Sequence, residues 1–593
     1  MTSSEILFFQ RKMEEPRVPV DPVTVEVIKG ALTYAAEEMG IVLRNSAYSP
    51  NIKERLDFSC AIFDHKKRLA AQAEHIPVHL GSMQLAVQQG LKKLRGKLED
   101  GDMVLFNDPY ISGTHLPDIA LISPVFYEGR IVAYLANKAH HSDVGGKAPG
   151  SMAGDATEIY QEGIIIPPVK FIKENVVDKE IAEILLSNIR TPEIRMGDLR
   201  AQEAANILGR RRILELVSRY GVHTLHRAME EIMNYSEQRM RIEISKMHEG
   251  SYSAEDYLEN TGTSDEKVKI KAAITIEKDQ LIVDYAGTDK QVDGPVNAVL
   301  GVTLSGVYYV LRCVTDPSIP MNDGCYRPVK VLAPEGTVMN PTSPAPVAGG
   351  NVETSQRNVD VLLKVFAQIV PEKVCAACQG TMNNVAVGGI NPENGKAWTF
   401  YETIAGGFGG RKGIDGVDAI HTHMTNTMNT PIEATENTYP LRFLEYALRK
   451  DSGGAGRWRG GAGLERSWKL LAPSATLSVL AERTQTSPWG LYNGKPGAKG
   501  EYHIIKGNGK RVRLNSKCTV KMKKNDVLMV RTPGGGGYGD PFERDPKLVL
   551  RDVLNELVSV EAARKDYGVA INPALMEIDW KATKRLRSKR KKR

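Results

Sequence analysis

The chain has 593 residues, of which 41% are hydrophobic and 25% charged, which is ordinary for a globular protein and long enough for two to four domains. No apolar run approaches the roughly 20 residues that cross a bilayer, and the first residues lack the basic segment and cleavage site of a signal peptide, so we expect a cytoplasmic protein. Residues 581–593 hold nine Lys or Arg, and the remaining chain is nearly neutral, with 69 basic and 71 acidic residues. A nucleic-acid enzyme is therefore not indicated, and the basic block is predicted to be a solvated, disordered tail.

Hydrophobic periodicity predicts alternating helices and strands in the first third of the chain. Apolar residues recur every three or four positions between Val25 and Val42, which predicts a helix over 22–44. A second amphipathic helix is predicted over 82–96. Strands are predicted over 58–63, 103–106, 119–126 and 131–137, and the last of these is apolar enough to be buried.

Further along the chain the pattern changes twice. Residues 172–250 have helical spacing, and alternation from about 265 predicts a β-hairpin, followed by a helix over 297–315. Short strands separated by glycines follow from about 452, and a final helix over 546–567 precedes the basic tail.

These patterns predict a multi-domain α+β protein. Its predicted units are an N-terminal mixed α/β metal-binding region over 1–170, a helical segment over 171–262, an α+β central domain over 263–450, a β-rich glycine-containing region over 451–545, and a C-terminal helix with a basic tail over 546–593.

Cysteines and glycine-rich runs carry little functional signal by themselves. Cys375 and Cys378 form a single CxxC without a second pair, which favours two small buried hydrophobes over a zinc ribbon. The glycine-rich runs 406–413 and 532–539 do not clearly join a strand to a helix, so they predict tight turns and close backbone approach. No phosphate-binding GxxxxGK[ST] loop occurs in the sequence, and an ATP site is not predicted in this chain.

Histidine and aspartate are concentrated between residues 54 and 146. His115 and Asp118 lie three apart in a segment where Gly113 and Pro117 predict a tight loop, and His140 follows a buried strand. Two imidazoles and two carboxylates suit zinc, manganese or iron(II), although a loop histidine that bonds a nearby acid gives the same spacing. Adjacent strand residues face opposite sides, so only one of His140 and His141 is expected to be a metal ligand.

Several motifs in order resemble proteins of the hydantoinase B and 5-oxoprolinase family. They are ERLDFSCAIFD, HIPVHLGSM, NDPYISGTHLPD, AHHSDVGG, GGNVETSQR and PGGGGYGDP, and the resemblance covers about residues 20–565. The resemblance implies one divalent metal ion, zinc or manganese with iron as a third candidate, held by Asp57, His115, Asp118 and His140. We assign proton transfer to His141 or Asp143.

Four further residues are predicted to bind substrate. His75 is placed in the pocket lining, and Pro77 argues against one helix through His75 and His79. Asn351, Glu353 and Gln356 lie in a glycine-flanked polar segment that is expected to line the same cleft. A structural role is the alternative for each of them.

The resemblance also implies a partner. In such proteins ATP is bound by a separate A-type subunit, which phosphorylates the substrate carbonyl, and the B-type part carries the metal. We therefore expect a small cyclic amide as substrate and a hetero-oligomer, a heterotetramer or larger. The first alternative is a core subunit of an ATP-dependent ketone carboxylase of the acetone or acetophenone type. The second is a non-catalytic assembly or RNA-associated subunit that uses the basic tail.

Overall fold

Helices are distributed along the whole of the structure, a computed structural model that describes residues 20–73 and 75–590. They are α1 (Pro22–Ser46), α2 (Pro50–Lys53), α3 (His79–Lys93), α4 (Pro109–Ser112), α5 (Lys179–Ser187), α6 (Pro192–Ser245), α7 (Leu300–Val314), α8 (Ser355–Ile369), α9 (Ile432–Thr438), α10 (Pro546–Leu554), α11 (Val560–Tyr567) and α12 (Trp580–Arg590).

The strands form several separate sheets. They are β1 (Phe58–Asp64), β2 (Leu69–Gln72), β3 (Met103–Phe106), β4 (Asp118–Tyr127), β5 (Arg130–His140), β6 (Val169–Lys173), β7 (Val176–Val177), β8 (Gly250–Leu258), β9 (Val268–Glu277), β10 (Gln280–Asp284), β11 (Val329–Leu332), β12 (Asn384–Ile390), β13 (Ala397–Glu402), β14 (Leu441–Leu448), β15 (Leu464–Leu470), β16 (Ser474–Leu480), β17 (Glu501–Ile505), β18 (Arg511–Arg513), β19 (Lys517–Lys523), β20 (Val527–Arg531), β21 (Ile571–Asn572) and β22 (Glu577–Ile578). The mixed composition confirms the predicted multi-domain α+β class.

The N-terminal sheet has the strand order β2-β1-β5-β4-β3-β6-β7, and its neighbouring strands run antiparallel. Helices α1 and α6 pack on one face, where Phe58 and Leu135 share a core with Met39. Helix α3 covers the other face, where Phe63 and Ala136 are buried. Because both faces are covered, the central strands β4 and β5 are buried over most of their length, and the burial predicted for the strand over 131–137 is confirmed.

The register of this sheet brings the ends of three strands together. Asp118 at the start of β4 pairs with His140 at the end of β5, and Phe58 at the start of β1 pairs with Ala139. Asp57, which precedes Phe58, accepts a hydrogen bond on its carbonyl oxygen from the His140 N–H (3.0 Å). Residues from three distant parts of the chain thus meet at one sheet edge.

The remaining sheets form the rest of the molecule. Sheet β11-β10-β9-β8 packs against α8, which in turn packs on α7. Sheets β13-β12-β16-β19 and β14-β15-β20-β17-β18 contribute to one common core, in which Val387 and Leu477 of the first sheet lie with Trp468 and Val530 of the second.

The two glycine-rich runs pack directly on each other. A side chain at Gly407 would overlap the Gly535 N–H, and one at Gly535 would overlap the Phe408 carbonyl. The backbone hydrogen bond from Gly410 N–H to Gly536 O (2.8 Å) joins the same two runs. Close backbone approach, which the sequence predicts here, is therefore the reason that these positions are glycine.

Two sequence predictions on helical segments need correction. The segment predicted to be helical over 172–250 begins with the strands β6 and β7, and α6 itself is interrupted at Gly221 (φ 77°). The single helix predicted over 546–567 is two helices, because Ser559 caps a new helix after a turn at Glu556 (φ 59°).

The basic tail, predicted to be disordered, is helical in the part that the structure describes. Helix α12 begins after Asp579, whose carboxylate accepts from the Ala582 N–H (2.9 Å). Thr583 is buried, and the Arg587 guanidinium donates to the carbonyl oxygens of Tyr567 and Arg544. Specific contacts with the body of the protein therefore order this helix.

Among residues 20–73 and 75–590, none of the helices combines the length and the apolar character that a membrane span requires.

A matched pair of glycine substitutions tests how α7 supports the loop before His115. A methyl group at Gly301 of α7 would overlap the backbone of Gly113, whereas Gly30 of α1 has open space around it. We expect Gly301→Ala to lower the free energy of unfolding by about 1–3 kcal/mol through overpacking. Gly30→Ala should raise it by about 0.5–1 kcal/mol, since alanine is the better helix former. Thermal and denaturant unfolding of both variants measures the difference, and equal shifts would contradict the packing of α7 on this loop.

Candidate metal centre

Three of the four predicted metal ligands converge on one buried point. His115 Nε2 lies 3.1 Å from His140 Nδ1 and 3.2 Å from Asp118 Oδ1, and His140 Nδ1 lies 3.1 Å from the same carboxylate oxygen. All three residues are at most 2% exposed. Ligand atoms in a tetrahedral site with bonds of about 2.0–2.1 Å lie about 3.3 Å apart. The three atoms therefore already have the spacing of ligands around one ion.

Each of the two imidazoles has one ring nitrogen in the cluster and one outside it. The outer nitrogens, His115 Nδ1 and His140 Nε2, are buried and have no hydrogen-bond partner among the described residues. A neutral imidazole carries one proton and one lone pair. Only with the protons on the outer nitrogens would both inner lone pairs be available to an ion. The donor set of two imidazoles and a carboxylate is one that zinc, manganese and iron accept.

Asp118 is the electrostatic centre of this group. Burial raises the pKa of its carboxyl, but the electrostatic effect of His115 and the hydrogen bonds of His115, His140 and His79 outweigh it and bring the pKa well below its usual value. The Asp118 carboxyl group is therefore held as the carboxylate, the form that binds a cation.

His79 contacts Asp118, and the sequence did not predict this contact. Its Nε2 lies 3.4 Å from Asp118 Oδ2, and its Nδ1 lies 2.9 Å from Ser59 Oγ. Burial lowers the pKa of His79, so it is neutral and orients the second carboxylate oxygen. Helix α3 begins at His79, after Pro77, so the expectation that no helix runs through His75 and His79 is confirmed.

Asp57 lies beside the cluster without joining it. Its backbone pairs with His140, but its carboxylate is outside the group of ligand atoms that lie within 4.8 Å of one another. Asp57 Oδ2 is instead 3.9 Å from Arg55 Nη2. Its role as fourth ligand stays a prediction.

Arg55 and Tyr401 cover the cluster from the side of the C-terminal sheets. The Tyr401 ring stacks on His140 with centroids 4.7 Å apart and an interplanar angle of 13°. The buried Arg55 guanidinium lies 5.0 Å from the Tyr401 centroid and donates to Thr403 Oγ1 (2.6 Å). Neither residue stands out in the sequence, because the contacts join segments about 350 residues apart.

Lys138 is another missed residue, and it supports the loop before His115. Its buried ammonium donates to Ser112 O (2.7 Å), Ser82 Oγ (3.2 Å) and Thr114 Oγ1 (3.3 Å). Burial lowers the pKa of Lys138 to about 7. The sequence does not predict this buried position, because a lysine in a strand is normally expected to face solvent.

Glu353 is linked to the cluster through two other side chains. Its Oε1 accepts from Asn384 Nδ2 (3.0 Å), and Asn384 Oδ1 accepts from the Tyr401 hydroxyl (2.7 Å). Burial raises the pKa of Glu353 to about 8, so it is a neutral acid near pH 7. It lies in a π-helical turn, Gly350–Thr354, that leads into α8.

Asn351 and Gln356 lie in and just after the same turn. Gln356 Nε2 donates to Thr422 O (2.8 Å). Asn351 Oδ1, Glu353 Oε2 and Gln356 Oε1 are buried and have no partner among the described residues. The amide oxygens of Asn351 and Gln356 are available to accept hydrogen bonds, whereas Glu353 Oε2 is the oxygen on which the neutral acid can carry its proton.

The structure places the other predicted site residues outside the cluster. His141 points the opposite way to His140, its Nε2 lies 2.9 Å from Gln202 Oε1, and burial lowers its pKa to about 4. The Asp143 carboxylate accepts from three backbone N–H groups and from the Arg190 guanidinium (2.8 Å). These contacts favour structural roles, and proton transfer by either residue stays a prediction.

His75 is likewise removed from the three-residue cluster. Its ring packs against Phe58 with centroids 4.8 Å apart, and its Nε2 is 3.6 Å from Glu37 of α1. Its predicted contact with substrate is untested.

Comparison with known proteins identifies the family. The family model described as Hydantoinase B/oxoprolinase matches residues 21–541. The chain therefore belongs to the hydantoinase B/oxoprolinase family, and the resemblance seen in the sequence motifs is confirmed.

Relatives with similar sequences have different lengths. An uncharacterized protein of Methanocaldococcus jannaschii is 49% identical over 96% of this chain and all of its own length. A protein of Pseudomonas sp. (strain NS671), provisionally named as the B-type subunit of a D-/L-hydantoinase, is 36% identical over 96% of this chain and 98% of its own length. The 5-oxoprolinase of Dictyostelium discoideum is 37% identical over 90% of this chain, which spans only 42% of that longer protein.

Two solved structures share the fold. An ATP-dependent caprolactamase from Pseudomonas jessenii has a TM-score of 0.89 and 32% identity, covering 96% of this chain and 100% of the matched chain. An acetone carboxylase, solved without nucleotide, has a TM-score of 0.90 and 21% identity, covering 96% and 83% of the two chains. The second likeness shows the fold alone.

Removal of one imidazole tests the metal centre. We expect His115→Ala to weaken divalent-metal binding by more than about 100-fold, since losing a residue that only orients a ligand already costs about 10–100-fold. The exposed His248 provides the matched control, and His248→Ala should bind metal like the wild type. Elemental analysis and titration with zinc and manganese measure both variants. Undiminished binding by His115→Ala at this site would rule out the cluster as a metal centre.

The raised pKa of Glu353 predicts a pH-dependent stability difference. The folded protein keeps a proton on Glu353 up to about pH 8, whereas the unfolded chain releases it near pH 4.3. Stability from the neutral acid is therefore complete below the unfolded pKa and lost as the pH rises through the folded value. Glu353→Gln cannot ionise and keeps an oxygen that can accept from Asn384.

Denaturation midpoints measured from about pH 5 to about pH 9 should therefore favour Glu353→Gln over the wild type increasingly as the pH rises. Exposed Glu335 supplies the control, and Glu335→Gln should follow the wild type. Parallel profiles for the wild type and Glu353→Gln would show that Glu353 ionises as it does in water.

Proposed function

We propose that this chain is the metal-dependent subunit of an ATP-dependent hydrolase of cyclic amides. The observation that carries the proposal is the convergence of His115, Asp118 and His140 on one buried point. The family membership and the 32% identity to an ATP-dependent caprolactamase support the cyclic-amide class of substrate.

The proposed cofactor is one divalent ion, zinc or manganese, with iron as a third candidate. His115, Asp118 and His140 would hold it, and Asp57 is the proposed fourth ligand. When bound, the ion supplies a Lewis acid that activates water at neutral pH and polarises a carbonyl oxygen. His79 keeps the Asp118 carboxylate oriented, and the Tyr401 ring fixes the plane of His140.

The polar turn beside the cluster is the proposed substrate-binding surface. The side-chain oxygens of Asn351 and Gln356, which have no partner in the described part of the chain, can accept hydrogen bonds from the N–H of a cyclic amide. Glu353, neutral near pH 7, holds a proton that a leaving ring nitrogen needs when the amide bond breaks. His75, His141 and Asp143 are retained as weaker candidates for substrate binding and proton transfer.

The proposal includes a partner chain that binds ATP. An unstrained amide carbonyl is a poor electrophile, and phosphorylation of its oxygen by an A-type subunit would make it reactive. The relative named as the B-type subunit of a hydantoinase and the extra length of 5-oxoprolinase support a second ATP-binding part. We propose a heterotetramer or larger assembly, located in the cytoplasm where ATP is available.

A ketone carboxylase of the acetone type is the alternative. It shares the fold with this chain, but at 21% identity the likeness carries no argument about the reaction. Hydrolysis of a cyclic amide therefore takes precedence.

Co-expression with an A-type subunit tests the proposed function. ATP hydrolysis should depend on a lactam, a hydantoin or 5-oxoproline, and the chain alone should be inactive. His115→Ala should reduce the rate by at least about 100-fold, the cost typical of a lost group in an electrostatic catalytic site, while His248→Ala should leave it unchanged. ATP consumption that requires a ketone and bicarbonate would favour the carboxylase, and full activity of His115→Ala would overturn a catalytic role for the metal.

A further inference from the structure

A second group of metal-binding side chains lies outside the proposed active centre. Ligand atoms of Cys375, Cys378 and His423 all lie within 4.8 Å of one another, and the three residues are 8%, 0% and 5% exposed. The cysteines follow α8, and His423 lies in segment 403–431 between β13 and α9. The sequence shows a lone CxxC because the histidine that joins it lies 45 positions further along the chain.

The histidine of this group has an unused ligand atom. His423 Nδ1 lies 3.3 Å from the Tyr309 hydroxyl, whereas its buried Nε2 has no partner among the described residues. With the ring proton on Nδ1, Nε2 of the neutral imidazole has a free lone pair. Metal-bound imidazoles commonly have their other nitrogen fixed by a hydrogen bond of this kind.

The two thiols lie close together, and one of them receives a backbone hydrogen bond. The Gly409 N–H donates to Cys378 Sγ (3.3 Å). A coordinating thiol loses its proton to the ion, so this N–H would then contact a thiolate.

We propose that Cys375, Cys378 and His423 form a second metal site, which binds a thiophilic divalent ion such as zinc. Two thiolates and one imidazole are soft and borderline ligands that favour zinc over manganese, unlike the carboxylate of the first centre. Zinc–sulfur bonds of about 2.3 Å place tetrahedral ligands about 3.8 Å apart, within the span of the three side chains.

Two of the three proposed ligands line a cavity of about 420 Å³. Cys375 and His423 border this cavity together with Tyr309, Cys313 and Phe408. The cavity gives an ion or a thiol reagent access to the site.

The site would fix the segment that covers the first centre. Segment 403–431 carries His423 and also Thr427 and Met428, whose oxygens accept hydrogen bonds from Arg55. Arg55 lies over Tyr401, which stacks on His140. An ion at the second site therefore anchors the segment that holds Arg55 and Tyr401 in place.

Cobalt substitution tests the second site on the full chain. Thiolate ligands give cobalt(II) an intense charge-transfer absorption in the near ultraviolet, which nitrogen and oxygen ligands do not give. We expect the wild type to bind two cobalt ions and to show this band. Cys378→Ser and His423→Gln should each bind one ion and lose the band, because the remaining ion lies at the first centre, which has no thiolate ligand.

Two further variants separate this proposal from the proposed function. His115→Ala should lose one ion and the amidohydrolase activity but keep the thiolate band. Cys518→Ser is the control: it changes a thiol of strand β19 that is not part of the cluster, and it should keep both ions and the band. Loss of the first centre is thus seen as lost activity with the thiolate band kept. Loss of the second site is seen as loss of the thiolate band.

The wild-type protein alone can overturn the proposal. A cobalt-loaded wild type without a thiolate band would do so, as would a Cys375–Cys378 disulfide found by mass spectrometry in protein purified under reducing conditions. If Cys378→Ser does not fold, titration of the zinc-loaded wild type with a mercurial thiol reagent tests the second site instead. Release of one zinc ion into a chromogenic chelator supports the site, and no release overturns it.

Discussion

The pairing of three antiparallel strands is the constraint on which the candidate active centre depends. Because β5 lies between β1 and β4, their common register sets Asp57, His140 and Asp118 side by side at one sheet edge. A shift of one residue in either pairing would turn a ligand to the opposite face. Helices on both faces of the sheet fix this register by burying the alternating apolar side chains.

Burial of a charged carboxylate at this edge is balanced by its neighbours. Asp118 is surrounded by three imidazoles and lies near the buried ammonium of Lys138, so a charge that would be costly alone is compensated within a few ångströms. Arg55 and Tyr401 complete the enclosure from the C-terminal sheets. The proposed ligands lie within the first 140 residues, but residues from the C-terminal sheets are needed to enclose the centre.

The sequence predicts the parts of this arrangement that rest on local patterns. The three strands of the centre, the helices α1 and α7, and His115, Asp118 and His140 follow from periodicity, loop residues and family motifs. The missed features depend on distant contacts: His79 reaches Asp118 from a helix end, and Glu353 reaches Tyr401 through Asn384. The helical order of the basic tail was also missed, since it rests on Arg587 binding carbonyls of residues 544 and 567.

The contact between the two glycine-rich runs has a consequence for how the chain reaches its native state. The runs are separated by about 120 residues, so the unfolded chain must close a long loop before their backbones can meet. Since the contact is made by main-chain atoms, no side chain can form it early through nonspecific collapse. We therefore expect this junction to form late in folding, together with the packing of the sheets around it.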